Sequence, residues 1–66
     1  MGKNTIELKV GQVWRSDRQR REILRLSVAP SGMKMVRYLL DGDEYMFGEQ
    51  SFRRWTRGAV LVKEGE

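Results

Sequence analysis

The residues with the widest chemical reach in this sequence are its arginines, nine of its thirteen cations. A guanidinium binds phosphate or carboxylate through two parallel hydrogen bonds and stacks on flat surfaces, which an ammonium does poorly. The arginines are not spread evenly. One group runs from Arg15 to Arg25, five arginines against Asp17 and Glu22, a net +3; a second is Arg53, Arg54 and Arg57, also +3; the stretch from Asp41 to Glu49 between them carries −4. Trp14 precedes Arg15 and Trp55 follows Arg54, so cations alternate with flat apolar surfaces. Nucleic-acid binding uses this combination, with arginines displacing counterions from phosphates while aromatics stack on unpaired bases. The residues expected to touch phosphate are Arg15, Arg18, Arg20, Arg21, Arg53, Arg54 and Arg57, with Trp14 as a stacking or wedging residue. Nothing in the pattern implies readout of base sequence, or a choice between DNA and RNA.

Other chemistries find less support. The chain has neither histidine nor cysteine, so the commonest general base, metal ligand and thiolate nucleophile are missing. No Ser or Thr stands beside Lys in a recognisable catalytic motif, and no glycine loop is built to cradle phosphate. The expectation is a non-enzymatic binding module without a cofactor. Asp41, Asp43, Glu44 and Glu49 could offer oxygen ligands, but their spacing departs from the calcium-loop pattern and Asp41-Gly42-Asp43 is accounted for by turn chemistry; no metal site is expected. The competing reading is a protein-binding module anchored on Trp14, Met35 and Met46, residue types enriched at interface centres. An oligomer built through an open sheet edge is a variant of it. The two readings differ in salt response, steep for phosphate contacts and nearly flat for an apolar anchor.

The elements that must position these residues read mainly as strands. Ile6, Leu8 and Val10 alternate with polar residues and end at Gly11, a strand followed by a bend. Beyond it, alternation sends Val13 to the core and Trp14 to the opposite face, unless Gly11 shifts the phase. Ser16 to Arg20 is a polar turn. Arg21 to Val28 alternates as a strand; a helix from Asp17 to Val28 competes, since Ser16 and Gln19 have the form of a capping box, but it would hold four arginines and only a ragged apolar stripe. Ala29-Pro30-Ser31-Gly32 is a turn, Met33 to Leu40 a strand, Asp41-Gly42 a two-residue hairpin turn, and Glu44 to Phe47 the returning strand. Phe52 and Trp55, three residues apart in Ser51 to Trp55, fit one helical turn and fill a core better than they stack on bases. Ala59 to Val62 is a short last strand. This order is that of a small, partly open, five-stranded SH3-like barrel with one helical turn before the last strand. Its expected core is Leu24, Leu26, Val36, Tyr38, Leu40, Phe47 and Phe52.

Sixty-six residues, 39% hydrophobic and 33% charged, suffice for one folded domain, with an ordered core over about 5–63, and for no second. No apolar run reaches the ~18 residues of a membrane span and the amino terminus lacks a signal-peptide pattern, so a cytoplasmic location without membrane contact is expected.

The segment from Gly11 to Arg57 resembles a family of short proteins encoded by prophages of enteric bacteria. The matching residues are Gly11-Gln12-Val13-Trp14-Arg15-Ser16-Asp17-Arg18, then Val36-Arg37-Tyr38 followed by Asp41-Gly42, and Phe52 with its basic neighbours. The resemblance implies a phage or prophage origin and a small β fold, and makes a host protein a natural partner under the protein-binding reading. Asp41 to Phe47 is also similar to the wing hairpin of small phage excisionases. That likeness implies an alternative α+β winged-helix fold, with its helix over Asp17 to Val28.

Overall fold

A computed structural model describes residues 7–65. Five strands and one helix follow in the order β1 (Gln12–Arg15), β2 (Arg20–Val28), β3 (Lys34–Leu40), β4 (Asp43–Gly48), α1 (Glu49–Thr56) and β5 (Val60–Glu64). All pairings are antiparallel and form one open sheet in the order β4-β3-β2-β1-β5. This is the mainly β, SH3-like arrangement with its helix before the last strand. A strand, and not a helix, occupies the second segment, so the winged-helix alternative falls.

The β3–β4 hairpin follows directly from its turn. Asp41 and Gly42 both have positive φ, 53° and 84°, the mirror-image turn whose twist matches that of the strands it joins. The register then runs without interruption from Leu40↔Asp43 to Met35↔Gly48. The helix is longer than the single turn expected at Ser51 to Trp55. Glu49 in its first turn receives a 2.9 Å hydrogen bond from Arg53 Nε one turn on, and Arg53 and Arg54 lie in the last turn. Both charges suit the helix dipole.

The amino-terminal segment departs from the expected strand. Glu7 to Lys9 form no strand, and Val10-Gly11 is a turn closed by the Gln12 amide donating to the Lys9 carbonyl at 3.2 Å; Ile6 lies outside the described residues. Gly11 supplies the left-handed φ of 92° that this turn needs, and the phase of β1 is set after it. Trp14 pairs with Arg21 on the core face and is only 4% exposed, contrary to its expected outward position. Val13 is buried as well.

The core joins Leu8, Trp14, Ile23, Val36, Tyr38 and Phe52, with Leu40, Trp55, Ala59 and Leu61 packed against it. Tyr38 holds the rings together, stacked on Tyr45 and tilted against Phe52, with Phe47 edge-on. Leu26 and Phe47 correct the expected core. They flank Val36 on its face of the sheet, yet remain 38% and 40% exposed. Phe47 is on an edge strand, and Leu26 lies beyond the β2 irregularity between Ile23 and Arg25. Leu24 and Leu40 are half-buried. Ile23→Ala should accordingly cost about 4 kcal/mol in urea denaturation, and Leu26→Ala under about 2 kcal/mol. Equal losses would contradict this view of the sheet. No helix among the described residues is long and apolar enough to cross a membrane.

Candidate nucleic-acid interface

The strand directions decide which arginines meet. β1 rises to Arg15, the chain turns at 16–19, and β2 descends from Arg20. β5 starts opposite Arg15, at Val60, so the end of α1 must deliver the chain to that same end of the sheet. The carboxyl end of the helix thus lies against the β1–β2 turn, about forty residues away in sequence. Between them is a shallow hollow of about 380 Å³, lined by the turn 16–19, Arg21, Trp55 and Gly58.

The turn is tightly built. The Ser16 amide donates to the Gln19 carbonyl at 2.8 Å, while Ser16 Oγ accepts from the amides of Arg18 and Gln19. Ser16 and Gln19, the pair that resembled a helix cap, instead close this turn. Arg18 projects from it, and Arg15 and Arg20 are direct cross-strand partners below it. Like charges directly opposite repel, a cost that an anion bridging them would offset. On the other side, Arg54 is in the last helical turn and Arg57 is its C-cap. Arg15, Arg18, Arg20, Arg54 and Arg57 are all exposed and make no ion pair among the described residues.

Two of the seven expected arginines do not join them. Arg53 is paired with Glu49 at 2.9 Å and lines a different, wider hollow with Met33, Lys34 and Gly48. Arg21, on the core face, is 6% exposed. Its guanidinium carbon stands 4.1 Å from the Trp55 ring centre, 4.6 Å from that of Tyr38, and 5.6 and 5.7 Å from Phe47 and Phe52. Its Nε and Nη2 both donate to Gln19 Oε1, at 2.9 and 2.7 Å. This is a cation held by ring faces and one neutral amide. Burial lowers its pKa, an effect the Tyr38 phenolate would counter.

Trp14 cannot stack on a base. Its indole N–H donates to Gln12 Oε1 at 3.1 Å within the core. Nor do the three expected protein anchors form one patch, since Met35 and Met46 belong to the opposite face of the sheet, Met46 being paired with Arg37 and Met35 with Gly48. Because Leu39 pairs with Glu22, the Asp41-Gly42 tip lies at the same end as the arginines, one strand beyond β2. Glu44 pairs with Arg37 at 3.3 Å, but Asp41 and Asp43 make no ion pair with the arginines. The end is thus divided, basic around β1 and α1 and acidic at the hairpin tip.

Tyr38 gives this region a pH response. Burial raises its pKa, with Arg21 opposing and Tyr45 adding to the rise. A phenol whose folded pKa lies above its unfolded value contributes stability that is complete below the unfolded pKa, near 10, and is lost as pH climbs through the folded one. Urea titrations should show stability falling above about pH 10, and Tyr38→Phe should flatten that fall.

Comparison of the chain with protein families, curated proteins and solved structures finds no match.

Proposed function

We propose that the arginine end of the sheet binds the phosphate backbone of a nucleic acid without reading its sequence. The observation that carries this reading is the convergence of two remote cationic groups on one end of the fold, with five guanidiniums exposed and unpaired by carboxylates among the described residues. With Trp14 in the core, the contacts are electrostatic and no base stacking is required of it. Duplex should be bound at least as well as single strand. The Asp41-Asp43 tip repels phosphate, so the backbone tracks along the β1 and α1 side and away from β3 and β4.

The test is affinity for a short duplex as a function of salt. Five phosphate contacts give a slope of log affinity against log salt of about −4.5, at about −0.9 per contact. A flat salt response, or no binding at low salt, would favour a protein partner. One observation supports that second reading: Tyr45, Met46 and Phe47 are consecutive, exposed and on the edge strand β4, where an incoming strand could pair.

A further inference from the structure

We propose that the hollow between the β1–β2 turn and the end of α1 is an anion subsite, in which a phosphate or carboxylate group is held by the buried Arg21 guanidinium together with Arg18. Arg21 is a charged side chain 6% exposed that makes no ion pair among the described residues. Among the described residues its only hydrogen-bond acceptor is the neutral Gln19 Oε1, and its Nη1 is buried with no acceptor there at all. Ring faces stabilise such a cation but do not replace an anion, and a buried charge left unpaired is costly. The same side chain lines a hollow of about 380 Å³ that opens to solvent, many times the ~30 Å³ of one water. Arg18 adds a second cation to the lining and Asp17 one carboxylate, so the balance still favours an anion. An anion here would give Arg21 the counter-charge that the fold withholds.

Inorganic phosphate and acetate, each titrated at constant ionic strength against chloride, test this. Phosphate or acetate should raise the wild-type Tm by several degrees, rising with the logarithm of concentration as for a ligand of the native state. It should also saturably shift the NMR signals of the Arg21 Nε and Trp55 indole groups. Which of the two ions is effective separates phosphate from carboxylate. Arg21→Met, which replaces a buried charge by an apolar chain of similar length, should fold and lose the Tm response; Arg21→Lys should weaken it about tenfold or more, because an ammonium offers no fork. The proposal is overturned if both anions protect Arg21→Met as well as wild type, which would place them on the exposed arginines. It is equally overturned if neither shifts the Arg21 and Trp55 signals of the wild-type protein, a readout that needs no variant to fold. These arms are independent of nucleic-acid binding. A final arm rests on that reading: a duplex that displaces phosphate from Arg21 identifies the anion as a backbone phosphate, and one that binds while phosphate stays identifies it as a free ion, the subsite standing in both cases.

Discussion

Trp14→Ala should unfold most of the protein at room temperature. The side chain is among the largest in the core and is 4% exposed, and truncating a buried Trp costs about 3–5 kcal/mol. Its loss also strands Gln12, 2% exposed, whose Oε1 accepts from the indole and whose Nε2 donates to the Glu7 carbonyl at 3.0 Å. An orphaned buried acceptor adds about 1–3 kcal/mol. Against the 5–15 kcal/mol of an ordinary domain, at the low end for a chain this short, little remains. Circular dichroism and urea denaturation would show it. A folded Trp14→Ala protein with selectively weakened single-strand binding would instead return Trp14 to the surface.

The second large effect falls on binding. Arg15→Ala with Arg20→Ala removes one side of the basic end, and Arg54→Ala with Arg57→Ala removes the other, all at exposed positions. Each pair should flatten the duplex salt slope by about 1.8 units, and the fourfold variant should leave a slope near that of a single contact. Stability should stay within about 0.5 kcal/mol of wild type for each pair, as for surface changes generally; relief of the Arg15–Arg20 repulsion offsets what the helix end loses. Arg53→Ala is the control. It breaks the Glu49 pair but should leave the slope unchanged.

The features of this fold that are legible in the sequence are those encoded locally. Asp41-Gly42 between two strand-forming runs favours the positive-φ hairpin turn that is observed, so the hairpin is legible from the sequence. The arginine groups were legible as charge. Their meeting was not, because it depends on β5 pairing with β1 and thereby drawing the end of α1 to the β1–β2 turn. The place of Trp14 is hidden from a period of two, which assigns one buried face, because Val13 and Trp14 are both buried, with a register shift between them in the pairing with β5. The burial of Arg21 is equally hidden, because its ring box is assembled from Tyr38, Phe47, Phe52 and Trp55, which no spacing brings together. Leu26 and Phe47 show the converse limit, since they occupy the core face as their alternation requires but lie where the sheet has no cover.

Mapping amide shifts of the labelled protein as a short duplex is added at low salt tests the central claim most directly. Shifts should concentrate at residues 15–20 and 54–58, fade together as salt is raised, and spare the Asp41-Gly42 tip. Shifts centred on β4, at Tyr45 to Phe47, or no shifts at any ratio of duplex to protein, would contradict it.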